Sequence, residues 1–365
     1  MFFRRKKDAA ADQEAVDGQS VNGRAKAKAA EASGRSAAAA VSTAETAHLV
    51  GPGCVRLQGR LPVWTPVDGT PLKLHPRHLR RLLCYGNVDL TTATLRLFWK
   101  RGIQVVFLSP HGDRMLGKLQ PGGRFPNLQR LQHLTANDAA ARLRFAREVV
   151  DAKLVGCLDE ARYFQQQGRG DSAGVLMRQL RAVQDRLAKA VSVDAVRGHE
   201  GAAAARWFPF LGSLLPPEWR IDRRVAHPPT DRTNALLSLG YSLAYHRCET
   251  LLAAADLDPR VGFLHDIHPG RSSLACDLME PLRATLVDRL VIRMVSRREL
   301  SQDDFTPHGP SWRLTPGALK RYLAAFEEAF EAPRRGGTLK AETIERIEAW
   351  SRRFRETESA DGEAK

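Results

Sequence analysis

Near residue 136 the apolar residues of this chain change their period. Beyond it, Leu143, Val150, Leu154, Leu158 and Ala161 recur at spacings of three, four and seven, which is the stripe of an amphipathic helix. Leu176, Leu180, Val183, Leu187 and Val191 repeat the stripe. Long apolar segments at 234–255 and 273–295 predict central helices. Leu319, Tyr322, Leu323, Phe326 and Phe330, then Ile344, Ile347 and Phe354, predict two more near the end. Before residue 120 the apolar runs have strand length instead. They fall at 54–57, 59–63, 71–74, 103–108 and 115–119, and Gly, Pro and Asp separate them. One helix around 95–99 is expected among them, with Asp89 or Thr91 as its cap and Gly102 as its stop. The pattern predicts an α+β chain: a small N-terminal β-rich domain over 47–125, followed by a larger all-α domain over 136–356. Residues 1–46 offer few large apolar side chains and read as a disordered basic tail. Residues 357–365 read as a flexible C-terminus.

Charge narrows the function. Lys and Arg number 56 against 41 Asp and Glu, a formal charge of +15 with pI ≈ 10.0. The tail holds eight basic and six acidic residues, so +13 of that surplus belongs to the folded body. Such a surplus favours a polyanionic partner, nucleic acid before an anionic membrane surface. Hydrophobic residues at 43% and charged residues at 27% are ordinary globular usage, against a wholly disordered or collagen-like chain. No apolar run approaches the ~18–20 residues of a membrane span, so no membrane partner is expected. The basic start lacks the apolar core of a secretory signal. Cys54, Cys84, Cys157, Cys248 and Cys276 form no Cys-x-x-Cys pair, which suits a reducing, cytoplasmic setting and no thiolate zinc site.

Three segments of the helical half concentrate polar groups within apolar sequence: 197–206, 262–271 and 273–283. Asp277 and Glu280, three apart on a helix, share one face beside the stripe Leu274, Leu278, Leu282 and Leu286. Paired carboxylates repel and are costly to desolvate, which a cation or a basic neighbour such as Arg283 would relieve. A salt-bridged helix end explains the pair equally well. His265 closes a short apolar stretch ahead of a Pro-Gly turn, where a histidine is more often a hydrogen-bonded structural residue than a ligand. Glu200 lies between Gly198 and Gly201 and ahead of four alanines, so a second helix or a phosphate backbone could approach closely. One imidazole with two carboxylates is an N/O ligand set suited to Mg²⁺ or Mn²⁺. Such an ion serves phosphodiester chemistry. Spacing alone does not select His265 over His268 or His227.

The runs 234–241 and 262–265, the pair Gly270-Arg271 and the segment 273–283 together resemble the CRISPR-associated integrase family, the spacer-acquisition nuclease numbered first among the Cas proteins. Segments 86–91 and 102–109 are similar to that family's N-terminal β domain, and the resemblance covers roughly 48–295. It implies a metal-dependent DNA endonuclease and integrase, of the hydrolase class, that joins 3′ ends of short duplexes to the CRISPR repeat. Glu200, His265 and Glu280 match the family's metal-binding positions, and Asp277 matches a further acidic position of the catalytic set. The implied cofactor is Mg²⁺ or Mn²⁺. The implied partners are double-stranded DNA, a second copy of the chain, and the small second-numbered Cas protein. Arg206, Arg223, Arg224, Arg247 and Arg271 are candidates for phosphate contact. Two rivals compete: a DNA-binding scaffold without turnover, and a metal hydrolase for small molecules.

Overall fold

The computed structural model describes residues 39–42, 45–110, 115–119, 126–334 and 336–362, all within one compact unit that runs from Ala38 to Lys365. Residues 1–38 and 43–44 of the expected tail, residues 111–114 and 120–125, residue 335 and the last three residues lie outside the described set.

The strands are β1 (Ala39–Ser42), β2 (Thr46–Val50), β3 (Gly53–Gln58), β4 (Leu61–Pro66), β5 (Leu72–Lys73), β6 (Arg81–Tyr85), β7 (Val88–Leu90), β8 (Gln104–Leu108) and β9 (Met115–Leu119). They form a five-stranded sheet in the order β1-β2-β6-β8-β9 and a four-stranded sheet in the order β5-β4-β3-β7. β1 is a correction to the expected tail, since Ala39–Ser42 pairs antiparallel with β2. The central strands β2, β6 and β8 run parallel. Every residue of β2 and β6 is buried, as parallel strands covered on both faces require.

Alternation decides what covers each face. Ala47, Leu49, Leu82, Cys84 and Val105 pack against the smaller sheet, through Val55 and Trp64, and against Phe98. The residues between them, Val50, Leu83, Tyr85, Val106 and Leu108, belong to the core of the helical half. Phe98 lies on helix α1 (Thr92–Lys100). Thr91 caps this helix by accepting from the Thr94 amide, and it stops ahead of Gly102, whose φ is +67°.

The helical half comprises α2 (Pro126–Asn137), α3 (Ala139–Gln166), α4 (Ala173–Leu187), α5 (Val193–Ser213), α6 (Arg232–Ala254), α7 (Ser273–Met279), α8 (Arg289–Ser296), α9 (Pro316–Glu331) and α10 (Leu339–Gly362). The segment 273–295 is not the single helix its hydrophobicity suggests. α7 ends at Met279, and Arg283–Asp288 form a π turn before α8. Pro281 stands in this break; it has no N–H for a continuing α-helical ladder. The half is not wholly helical either. Phe305–His308 and Ser311–Leu314 make an antiparallel hairpin, β10-β11, turned at Gly309, whose φ is +55°. At the C-terminus the helical backbone of α10 continues to Gly362, past the expected boundary at 357.

Candidate active site

The organising group is Asp277, wholly buried on α7. Its Oδ2 accepts from the amides of Phe263 at 2.6 Å and Leu264 at 3.0 Å. Its Oδ1 accepts from the amide of His265 at 3.1 Å and lies 2.7 Å from that residue's Nδ1. Three consecutive amides therefore wrap one carboxylate, and the imidazole of His265 is fixed by the same group. With Nδ1 engaged, Nε2 is the nitrogen left for a ligand or a proton. Burial disfavours the charged imidazole, but the hydrogen bond to Asp277 and the charges of Asp277, Glu280 and Glu200 outweigh it and raise its pKa. Both glutamates thus act electrostatically on His265, although each comes from a different segment.

Glu280 follows α7 and is 1% exposed. Its Oε2 lies 2.7 Å from Nζ of Lys153 and 2.9 Å from Nε of Arg283, the basic neighbour expected from sequence. Two cations of the chain thus share this one buried oxygen. Burial pushes the Glu280 carboxyl up, but Arg283 and Lys153 bring it down to about 2. Glu200, on α5, is partly exposed and accepts from the same Lys153 ammonium. Burial pulls the pKa of Lys153 down, while Glu280 and Glu200 together hold it above its ordinary value.

Glu200 on α5 and Glu280 at the end of α7 therefore meet at a lysine from α3, and the charges of both act on His265 in the 262–271 loop. Among the described residues no three His, Cys, Asp or Glu side chains stand close enough to clasp an ion as they lie. What stands between the two glutamates is a cation of the chain itself. Sequence reasoning missed Lys153. The available signal was a basic residue adjoining the apolar stripe of α3, directly before Leu154.

The glycines beside Glu200 correct one expectation. A Cβ at Gly198 or Gly201 would meet nothing within 4 Å, so they form no tight helix contact and leave the space beside the carboxylate open. Of the rival histidines, His227 and His268 are exposed, and His268 bonds the carbonyl of Pro269 within its own turn. His265, by contrast, is part-buried, anchored by Asp277 and under the influence of Glu280 and Glu200.

The five arginines divide. Arg223 is exposed. Arg206 donates to the carbonyl of Ala202 one helical turn earlier, and Arg271 donates to the carbonyl of Asp266 at 2.9 Å. Arg224 is tied to Asn234 Oδ1 at 2.9 Å and Ser238 Oγ at 2.7 Å, on the wall of a cleft that also includes Tyr241, Arg283 and Trp312. Arg247 is a correction. It is 3% exposed, paired with Glu327 and seated over the ring of Phe330, so no phosphate reaches it.

The family model described as CRISPR associated protein Cas1 matches residues 48–328, a span that holds every residue of this site. The chain belongs to the Cas1 family. It is 34% identical over 255 residues to the CRISPR-associated endonuclease Cas1 4 of Methanospirillum hungatei, covering 68% of this chain and 70% of that protein. A solved Cas1 protein from Thermotoga maritima has the same fold, with a TM-score of 0.75 at 22% identity over 85% of this chain and 97% of its own. A casposase bound to its integration product matches with a TM-score of 0.73 at 22% identity, over 85% of this chain and 90% of its own. The α+β architecture is thus that of Cas1 proteins.

Proposed function

We propose that this Cas1 family member is a divalent-metal-dependent DNA endonuclease and integrase of CRISPR adaptation, which joins the 3′ ends of short spacer-precursor duplexes to the CRISPR repeat by transesterification. The observation that carries the reading is that two carboxylates from separate segments meet at one cation, Lys153, and both act on an imidazole that a third carboxylate anchors. The buried Oε2 of Glu280 draws two cations to itself, so positive charge is what this position calls for. The donor set of two carboxylates and one imidazole fits Mg²⁺ or Mn²⁺. Glu200, Glu280 and Nε2 of His265 would hold the ion, which when bound supplies positive charge for a phosphoryl oxygen and for an attacking hydroxyl.

The remaining work falls to the chain's own side chains. Asp277 keeps the imidazole oriented, so that Nε2 presents a lone pair or moves a proton. Arg283 holds Glu280 ionised at any physiological pH. The open space beside Gly198 and Gly201 admits a backbone next to Glu200. The basic surplus, with Arg223 at the surface, attracts duplex DNA and makes its binding weaken steeply with salt. A homodimer and the small Cas2 protein are the proposed partners. Among the described residues no helix is long and apolar enough to cross a membrane.

Strand transfer of a labelled duplex into repeat DNA with Mn²⁺ tests the reading. Glu200→Ala, His265→Ala and Glu280→Ala should abolish joining while duplex binding persists. Equal joining by wild type and Glu280→Ala overturns the catalytic assignment and leaves a DNA-binding scaffold.

A further inference from the structure

Lys153 is unusual among the basic residues of this chain. Its side chain is 11% exposed, and both ion pairs it makes are to residues of the candidate site, Glu200 and Glu280. It is not there by chance of a long flexible stem. One turn along α3, a Cβ at Gly156 would come within 3.2 Å of the Pro281 carbonyl and 3.4 Å of Thr285 Cγ2. The glycine lets α3 close against the 281–285 segment, and that approach delivers the lysine to Glu280.

Two glutamates this near to each other repel, and Glu280 is almost without solvent. Arg283 also neutralises Glu280, at the same oxygen, but the cation that bridges both carboxylates is Lys153. An ammonium and a divalent ion call on the same oxygens. A cation already in place lowers the net gain from binding a second one, and it also keeps the carboxylates gathered while no ion is present.

We propose that Lys153 is a positioning residue that acts as an internal counter-cation: it holds Glu200 and Glu280 together in the metal-free protein and competes with the divalent ion for them. This rests on the reading of the site given above. It adds that the lysine sets the ion concentration at which the site loads.

Calorimetric Mn²⁺ titration and thermal melts of the full chain, in EDTA and in Mn²⁺, test it without any activity measurement. Lys153→Met should bind Mn²⁺ about tenfold more tightly than wild type, melt lower than wild type in EDTA, and gain more on adding Mn²⁺. Lys153→Arg keeps the charge and should show no tightening. Lys153→Gln can still hydrogen-bond both glutamates and should tighten Mn²⁺ binding as the Met variant does, which covers the case in which Lys153→Met fails to fold. If wild type binds Mn²⁺, Glu280→Ala does not, and the uncharged variants bind it no more tightly than wild type, the role of Lys153 is overturned while the site stands. If neither wild type nor the uncharged variants bind Mn²⁺, the metal reading fails and takes the proposal with it.

Discussion

Asp277 grips His265 twice, with Oδ1 at 2.7 Å from the imidazole Nδ1 and 3.1 Å from the amide nitrogen of the same residue. Its other oxygen takes the amides of Phe263 and Leu264. Both oxygens are thus engaged by the chain, and the carboxylate orients the imidazole. Asp277→Ala would leave three consecutive amides without an acceptor in a buried site. The expected cost is roughly 3 kcal/mol or more in urea unfolding. Joining should be lost even at temperatures where the variant is still folded, because the ring is then free to turn. A variant that unfolds at the wild-type urea concentration would show that the loop is held by something else.

Glycines near the site are expected to split into two opposite classes. At Gly262 a Cβ would sit 2.8 Å from the carbonyl carbon of Ser273 and 2.9 Å from Asp277 Oδ2, neither of which is a flexible chain end. Gly262→Ala must therefore displace the loop that carries His265, and joining should fall by more than stability does. At Gly198 the same addition meets open space on α5. Gly198→Ala should stabilise the protein by about 0.5–1 kcal/mol, the ordinary helical preference of alanine over glycine. Paired melting and strand-transfer measurements on the two variants check both signs.

The parts of this site legible in the sequence are those that lie close together along it. Asp277 and Glu280 share a short helix end, and Arg283 neutralises Glu280 three residues on, as their spacing suggests. Thr91 and Gly102 bound α1 because cap and stop are local signals. What stayed hidden depends on distant segments meeting. Lys153 reaches Glu280 from a different helix, and Arg247 meets Glu327 across 80 residues, so periodicity could not separate a buried arginine from a surface one. The β10-β11 hairpin escaped because each strand has only four residues and one contains Pro307.

Acid should expose a second buried network, in which His48 on β2 ties the parallel sheet to α9. Nε2 of His48 lies 3.0 Å from Glu327 Oε1, Nδ1 lies 2.9 Å from the Tyr85 hydroxyl, and Arg247 pairs with the other oxygen of Glu327. Burial pushes the Glu327 carboxyl up, but Arg247 and His48 bring it down from 4.5 to about 2. In the unfolded chain it takes up its proton near 4.5, so between the two values the unfolded state binds more protons. Stability from this group is therefore complete above about pH 4.5 and lost as pH falls toward 2, a span worth roughly 3 kcal/mol. Urea unfolding across that window should show wild type falling toward Glu327→Gln. A constant gap between the two at every pH would remove the ion pair as the cause.

Arg223 and Arg247 should fail in different ways. Arg223 is exposed and free to neutralise a phosphate, so Arg223→Ala should reduce the slope of log affinity for duplex DNA against log salt by about 1 and leave the melting temperature unchanged. Arg247→Ala removes the partner of a buried carboxylate, a loss of about 3–5 kcal/mol. Its DNA affinity should decline only where the protein has begun to unfold, with no change of slope below that temperature. Salt titrations of duplex binding at two temperatures separate the outcomes. A reduced slope for Arg247→Ala in the folded range would mean that Glu327 releases this arginine when DNA binds, and that the interior network opens on the substrate.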